Sequence, residues 1–248
     1  MCELITIPIS HYCEKARWAL DRAGVRYRER AHLQGFHMLV VRRAGGGSTA
    51  PVLVCGDAVL ADSAAILEFA DARAPAARRL YPDDASLAAE ARALEREYDE
   101  RLGPHGRLWM YEALRGRRDL ALAYGCTGAP AWQRHALRAG YPLLLRFVDG
   151  RLGITSERAA ASLRTVRSLF DAVAARLGDG RPYLLGERFT AADLTFSALA
   201  AAVLMPPEYA VPLPQPERLP ARMAAVVREL RAHPAGAHAL AMFRRERR

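Results

Sequence analysis

Three polar side chains stand close together near the start of the chain, directly after an apolar run. Ser10, His11 and Cys13 follow the segment Leu4-Ile5-Thr6-Ile7 and Pro8. A β-branched apolar run that ends at a proline is typical of a strand, and a serine is a preferred N-terminal cap of a helix. Exposed backbone N–H groups and the positive end of the helix dipole favour an anion there. The sequence therefore predicts a place where a thiolate would be stabilised beside the Ser10 hydroxyl.

The elements that position Ser10 are a strand, a helix and a second strand. Apolar residues between Ala16 and Leu20 recur at helical spacing, charged residues take the other face, and Gly24 marks the end of the helix. Residues 25–31 then alternate apolar with charged side chains, which predicts a strand with one wet face. Together they predict a right-handed βαβ unit.

A hairpin and another helix complete the first half. Two short apolar runs, residues 51–55 and 58–61, flank the turn residues Gly56 and Asp57. Asp62 or Ser63 then caps a helix that ends before Pro75.

The segment 32–48 is rich in glycine and carries the basic pair Arg42 and Arg43. It predicts a loop with at most a short helix. A flexible basic loop could reach over a ligand, and an ordinary surface connection is an equal alternative.

Strand signals disappear after a segment rich in proline, arginine and aspartate. We therefore predict a first domain over 1–75, a linker over 76–86 and an all-helical domain over 87–248. Helices are predicted over residues 87–102, 108–124, 132–148, 159–177 and 194–204. Breaks are predicted at residues 103–104, 125–130, 149–150, 178–180 and 206–207. Thr190 and Asp193 have the spacing of a hydroxyl cap and an acid at a helix start, which we interpret as a folding element and not as a catalytic pair.

Four segments, in order, resemble the glutathione S-transferase family, and together they span most of the chain. The segment Ser10-His11-Tyr12-Cys13-Glu14-Lys15-Ala16-Arg17-Trp18-Ala19-Leu20 resembles the first loop and helix of that family. The others resemble its cis-proline segment, its glutathione-binding motif and its second-domain capping segment: Thr49-Ala50-Pro51-Val52-Leu53, Asp62-Ser63-Ala64-Ala65-Ile66 and Phe189-Thr190-Ala191-Ala192-Asp193-Leu194.

The resemblance implies an α/β thioredoxin-like domain followed by a helical bundle. It also implies glutathione as co-substrate, with Ser10 holding its thiolate for attack on, or isomerisation of, an electrophilic small molecule. Tyr12 is the alternative activating group. A cis bond before Pro51 would let the Ala50 backbone pair with glutathione, Asp62 and Ser63 would bind the γ-glutamyl group, and Arg42 or Arg43 is the candidate for the glycine carboxylate.

The resemblance further implies a second-substrate pocket between the domains. The candidates for its lining are His11, Tyr12, Cys13, Phe36, His37, His105, Trp109 and Tyr111. Cys13 has the alternative of a buried helix residue, since the first cysteine of a dithiol motif is replaced by Ser10. Two alternatives to this enzyme stay open: a non-catalytic glutathione- or ligand-binding protein of the same fold, and a similar enzyme that uses another thiol.

Composition bounds the remaining expectations. The four cysteines show neither a Cys-x-x-Cys pair nor metal-ligand spacing, so we expect no disulfide and no metal. The net charge of +9 comes mostly from arginines spread along helices and in the tail 243–248, without interleaved aromatics, so no nucleic-acid partner is expected. No membrane-spanning or leader-like segment is evident, which favours a cytoplasmic protein. The excess of alanine and arginine is typical of GC-rich bacteria, and the family resemblance implies detoxification chemistry and a homodimer.

Overall fold

The computed structural model describes residues 1–247, without the side chains of Phe147, Arg151 and Leu152. Of the predicted basic tail, Arg248 lies outside the described residues. The first half forms a four-stranded sheet in the order β2-β1-β3-β4. The strands are β1 (Cys2–Thr6), β2 (Tyr27–Ala31), β3 (Val52–Cys55) and β4 (Ala58–Leu60). Strand β1 runs parallel to β2 and antiparallel to β3, and β3 and β4 form the predicted hairpin.

Three helices cover the two faces of this sheet. They are α1 (His11–Arg22), α2 (Phe36–Arg43) and α3 (Ser63–Asp71). Because side chains alternate along a strand, Leu4 and Leu53 join the core that contains α1 and α3, while Ile5 and Val52 pack with Val41 of α2. The predicted βαβ unit is confirmed, with its second strand beginning two residues later than expected. Helix α2 is the short helix allowed for in the 32–48 segment.

The second half is helical, as predicted. Its helices are α4 (Ala85–Glu97), α5 (Gly103–Ala113), α6 (Arg118–Gly125), α7 (Ala131–Leu152), α8 (Ser156–Arg176), α9 (Ala191–Leu204), α10 (Ala221–Ala232) and α11 (Pro234–Glu246). Short 3-10 helices occupy Ala76–Arg78 and Pro216–Arg218, and a π-helical segment spans Tyr98–Leu102. Helices α10 and α11 had no counterpart among the predicted helices.

Two of the predicted helix breaks are wrong. The π-helical segment leads directly into α5, and Pro104 lies in the first turn of that helix, where a proline leaves no hydrogen bond unmade. Helix α7 continues through Asp149 and Gly150, and ends at Gly153 in a left-handed conformation. Pro104 and Gly150 therefore lie near the ends of their helices, but they do not interrupt them.

Helix α9 joins the two halves. All fourteen of its residues are buried, and it packs against α1 of the first half and against α11. The predicted capping box at its start is confirmed: the Thr190 N–H and hydroxyl both donate to Asp193 Oδ2, at 3.0 and 2.9 Å. The Asp193 carboxylate also accepts from the Leu184 N–H at 2.8 Å, so the cap ties the preceding loop to the helix.

The expectation of four reduced cysteines is wrong, because Cys2 and Cys55 form a disulfide. The cause is the strand register. Glu3 of β1 faces Val54 of β3, so the next facing pair in this antiparallel ladder is Cys2 and Cys55, whose Cα atoms lie 4.2 Å apart. Cys13 and Cys126 are free thiols. Among residues 1–247, none of the helices has the length and apolar character needed to cross a membrane.

Candidate active site

Ser10 lies at the start of α1, as the sequence predicts. Its backbone is extended, and its Oγ accepts a long hydrogen bond from the Cys13 N–H, at 3.4 Å. The Ser10 side chain also makes a hydrogen bond with the buried Cys13 thiol, which opposes the rise of the Cys13 pKa. The side chain is half-buried and borders an open cleft. Ser10 therefore caps the helix and borders the space that a ligand would occupy.

The cleft beside Ser10 has a volume of about 210 Å³ and lies between the first half and α5. It brings together six of the predicted site residues, two of them aromatic. Its lining residues are Ile7, Ile9, Ser10, His11, Tyr12, Gln34, His37, Met38, Ser48, Thr49, Ala50, Arg107, Met110, Tyr111 and Val148.

The cis bond predicted between Ala50 and Pro51 is present. It places Ala50 on the wall of the cleft, next to Ser48 and Thr49. Pro51 itself precedes β3 and is buried. A backbone segment that lines a cleft without belonging to a strand can pair with a bound peptide.

His11 is buried and lines the cleft. Burial and, second, the charge of Arg107 lower its pKa to about 3, while a hydrogen bond with the Gly103 backbone opposes that shift. The ring is therefore neutral at physiological pH. Its Nε2 has no hydrogen-bond partner in the described part of the chain. His11 supplies an uncharged polar group to the cleft and no cation.

The Tyr12 hydroxyl is already engaged. It donates to the Asp99 carbonyl oxygen at 2.7 Å, across the boundary between α1 and the π-helical segment. Gly103 makes this contact possible, because a Cβ there would lie 2.2 Å from the Tyr12 hydroxyl. Burial raises the pKa of Tyr12. The Tyr12 hydroxyl is therefore engaged within the chain, whereas the Ser10 side chain borders the cleft at the start of α1.

An ion cluster fixes α1 beneath the same contact. The fully buried Lys15 Nζ lies 2.8 Å from Glu95 Oε1 and 2.6 Å from Asp99 Oδ2. Glu95 also accepts a hydrogen bond from the Tyr81 hydroxyl. Burial raises the pKa of Asp99, and the nearby Lys15 opposes that rise. This cluster holds the helix that carries Ser10 against α4.

The residues predicted to bind the γ-glutamyl group lie at the start of α3, outside the lining of the cleft. Asp62 is the cap of that helix and accepts from the Ala65 N–H at 2.8 Å. Ser63 is buried as the first helical residue, and its hydroxyl has no hydrogen-bond partner within residues 1–247. Ser63 is therefore available to a ligand, while Asp62 already serves the helix.

Five other predicted residues lie away from the cleft. Cys13 is fully buried, accepts from the Ile7 N–H at 3.4 Å, and has its pKa raised by burial. Phe36 packs on Trp132 with ring centroids 5.3 Å apart, and Trp109 belongs to the main core. His105 Nδ1 lies 2.9 Å from the Ser162 hydroxyl of α8. Arg42 is exposed in the last turn of α2.

A second, largely apolar cavity of about 130 Å³ adjoins the cleft and shares seven residues with it: Ile7, Ile9, His11, Gln34, Met110, Tyr111 and Val148. Its other walls come mainly from α6, α7 and α9. The residues that line it alone are Leu114, Arg115, Ala121, Tyr124, Gly125, Leu137, Tyr141, Leu144, Leu145, Asp149, Ile154, Ala201, Ala202, Met205, Tyr209, Leu213 and Pro214. It can hold an apolar molecule next to whatever occupies the cleft.

Sequence reasoning missed Arg107 and Gln34. Arg107 lies on α5, three and four residues before Met110 and Tyr111, so all three share one face of the helix. Its spacing from Tyr111 was a usable signal, but the helix predicted here began only at residue 108 and left Arg107 out. Gln34 accepts a hydrogen bond from the Tyr111 hydroxyl at 2.5 Å. No cluster of three or more potential metal ligands occurs in residues 1–247.

Comparisons with known proteins agree with this architecture. A model of the glutathione S-transferase N-terminal domain matches residues 4–78, and a model of the glutathione S-transferase C-terminal domain matches residues 156–232. Together the two matches cover more than half of the chain. The chain belongs to the glutathione S-transferase family. No curated protein sequence shows significant similarity to it.

Solved structures show the same fold at low sequence identity. A glutathione S-transferase from Xanthobacter autotrophicus Py2 is 17% identical with a TM-score of 0.60, and the match covers 97% of this chain and 91% of that one. A theta class glutathione S-transferase from Xanthomonas axonopodis pv. citri, solved with glutathione bound, is 22% identical with a TM-score of 0.56, over 96% of each chain. A glutathione S-transferase from Methylobacterium radiotolerans JCM 2831, in complex with glutathione sulfonate, is 20% identical with a TM-score of 0.57. The match covers 96% of this chain and 94% of that one.

Proposed function

We propose that this protein is a glutathione transferase-like enzyme. Glutathione binds in the cleft, and its thiolate, held by the Ser10 hydroxyl, attacks an electrophilic small molecule in the adjoining apolar cavity. One observation carries the proposal: a serine hydroxyl stands at the start of a helix and borders a cleft that the cis-proline segment also lines.

The chemistry needs a thiolate at neutral pH. Lowering the pKa of a thiol by two units requires about 2.7 kcal/mol. A hydrogen bond to a charged group contributes about 1.5 to 3 kcal/mol, and the end of a helix dipole adds about 0.3 to 1 kcal/mol. Ser10 and the start of α1 are therefore of the right strength for this task.

The reaction balances without a metal or redox partner. The thiol proton leaves to solvent, and the sulfur forms a bond to an electrophilic carbon. In substitution a leaving group departs from that carbon with its electron pair. In addition the substrate takes up a proton, and in isomerisation the thiolate is expelled again after the double bond has moved.

Glutathione as the thiol is supported by the family and by the relatives solved with glutathione or glutathione sulfonate. In this proposal Ser63 and Asp62 bind its γ-glutamyl group, the Ala50 backbone pairs with its cysteinyl unit, and Arg42 or Arg43 of α2 approaches its glycine carboxylate. The negative charge of glutathione also suits a protein with a net charge of +9.

The wider proposal keeps the domain limits 1–75, 76–86 and 87–248, a homodimer, and a cytoplasmic detoxifying role. The two family matches, to residues 4–78 and 156–232, support a division in which the sheet domain comes first and the bundle second.

The test is a titration of thiolate absorbance in the glutathione complex. The parent protein should show a thiol pKa lowered by one to two units. Ser10→Gly should reverse most of that shift, because it removes the hydroxyl while costing the helix cap only a few tenths of a kcal/mol. Ser168→Ala, at an exposed serine of α8, is the control.

Two results would contradict the proposal. If glutathione binds with an unshifted thiol pKa, the protein is a binding protein of the same fold. If calorimetry detects no glutathione binding, the thiol is a different one or the role is not enzymatic.

A further inference from the structure

Arg107 is the single Asp, Glu, Lys or Arg among the described residues that line the cleft. It lies on α5 and is half-buried. Within residues 1–247 its guanidinium makes neither an ion pair nor a hydrogen bond. Other arginines with buried or half-buried side chains form ion pairs, such as Arg17 with Glu29 and Arg247 with Glu14. A cation that faces a cleft with all its donors unused is arranged for an anion from outside the chain.

The neighbours of Arg107 offer it no negative charge. Burial lowers the pKa of His11, and the charge of Arg107 adds to that shift; burial raises the pKa of Tyr12 and of Tyr111, and the same charge opposes that rise. His11 is neutral there, and the Tyr12 hydroxyl is already bound to Asp99. None of these three groups can neutralise a guanidinium. A bound carboxylate could do so, with two parallel N–H···O bonds.

The position of Arg107 connects it with the second substrate. Met110 and Tyr111, on the same face of α5, line both the cleft and the apolar cavity. A molecule that fills the apolar cavity and reaches toward Ser10 therefore passes the face of α5 that carries Arg107. The first-domain residues proposed for glutathione, Ser63 and Arg42, are on α3 and α2.

We propose that Arg107 binds an anionic group of the second substrate, so that the enzyme selects electrophiles in which a carboxylate is attached to an apolar body. This inference rests on the proposed function and names the substrate class of the same site. The apolar body occupies the cavity between α5, α6, α7 and α9, and the carboxylate pairs with the guanidinium. Removal of the anion leaves the cation half-buried and unpaired, which is the source of the discrimination.

The experiment compares a para-chloro-dinitrobenzoate with its methyl ester. In both reactions the glutathione sulfur bonds to the ring carbon, chloride leaves with its electron pair, and the thiol proton goes to solvent. Each kcat/KM is divided by the rate constant of the uncatalysed reaction, because the two rings differ in reactivity. We expect the parent protein to favour the acid, and Arg107→Met to lower the acid-to-ester ratio by about 10- to 100-fold.

Two further variants make the comparison specific. Arg107→Lys keeps the charge without the planar fork and should retain part of the preference. Arg96→Met removes the same charge from an exposed position on α4, and it should leave the ratio unchanged. A fall in the ratio with Arg96→Met would show that long-range attraction is the cause, and would overturn the assignment to Arg107.

Two other outcomes would also overturn it. An equal loss for acid and ester in Arg107→Met means that Arg107 acts on the thiolate. A raised KM for glutathione with an unchanged ratio means that it binds glutathione.

Binding of the unreactive dinitrobenzoate and its methyl ester, measured by calorimetry, tests the inference separately from catalysis. If the parent protein transfers glutathione to neither ring but binds the acid through Arg107, the proposed function fails and the anion site stands. If it converts the ester and shows no preference for the acid, the function stands and the anion site fails.

Discussion

Arg247, the last described residue, donates from Nε to Glu14 Oε1 at 2.7 Å. Glu14 is fully buried on α1, the helix that begins beside Ser10. The Arg247 Nη1 also donates to Asp21 Oδ2 at 2.8 Å. The next residue of α1, Arg22, forms an ion pair with Glu246 at 2.8 Å. The end of the chain therefore covers an acidic side chain that would otherwise be buried with one partner, Arg17 at 3.2 Å.

We predict that Arg247→Met lowers the free energy of unfolding by about 1 to 3 kcal/mol, since it removes the closer partner of a buried carboxylate. The measurement is urea unfolding at neutral pH. Arg245→Met is the matched control, because Arg245 is exposed two residues earlier and makes no ion pair with the described residues. Equal effects of the two substitutions would show that the contact contributes nothing measurable.

The neutral His11 predicts a pH dependence of stability. Its pKa is about 3 in the folded protein, mainly through burial, compared with 6.5 for a free histidine. The unfolded chain therefore binds a proton between pH 6.5 and pH 3 that the folded chain does not. The contribution of His11 to stability is complete above this window and is lost as the pH falls through it, with a slope of up to about 1.4 kcal/mol per pH unit.

The measurement for His11 is the urea midpoint of the parent and of His11→Gln at several pH values. The substitution should flatten the dependence between pH 6.5 and 4. His135→Gln, at an exposed histidine of α7, should not. Parallel curves for parent and His11→Gln would contradict the prediction.

Ser63→Ala should weaken glutathione binding by about 1 to 3 kcal/mol, the usual effect of removing one partner from a charged group. The fold should be preserved, because Asp62 and not Ser63 caps α3. Calorimetry with the parent protein, Ser63→Ala and the exposed-site control Ser86→Ala measures it. Unchanged affinity in Ser63→Ala would place the γ-glutamyl group elsewhere.

The Cys2–Cys55 disulfide predicts a thiol count. Protein purified and denatured without reductant should react with two equivalents of a thiol reagent, from Cys13 and Cys126, and reduced protein with four. The bond closes a loop with a sequence separation of 53, so replacing both Cys2 and Cys55 by serine should lower the stability by up to about 4 kcal/mol. Four reactive thiols before reduction would refute the bond.

The proposed homodimer predicts a mass of about twice 27.3 kDa by light scattering at micromolar concentration. Leu80 and Tyr81 are buried inside the chain, so an interface near α4 has to use other residues. Val59 and Leu87 are exposed apolar candidates, and Arg92 of α4 forms an ion pair with Glu68 of α3 on the surface. Such a polar interface should weaken at high salt. A monomer mass at both low and high salt would refute the dimer.

Local sequence determined the elements of this protein. The apolar run before Pro8 predicted β1, the serine after it predicted the start of α1, and the capping box predicted the start of α9. These features depend only on neighbours within a few residues. The periodicity of apolar side chains defines the element, and a cap satisfies the first free N–H groups of a helix. The four-segment resemblance added the cis bond before Pro51, which periodicity alone could not supply.

Tertiary structure decided which distant residues meet. The β1–β3 register paired Cys2 with Cys55, and the packing of α1 against α4 and α5 directed Tyr12 to Asp99. The same packing placed Arg107 in the cleft and left His105 on Ser162. Residues about 50 to 100 positions apart come together according to how whole helices and strands bury their apolar faces against each other. That arrangement, which no local pattern encodes, brings the Ser10 hydroxyl and Arg107 to the lining of one cleft.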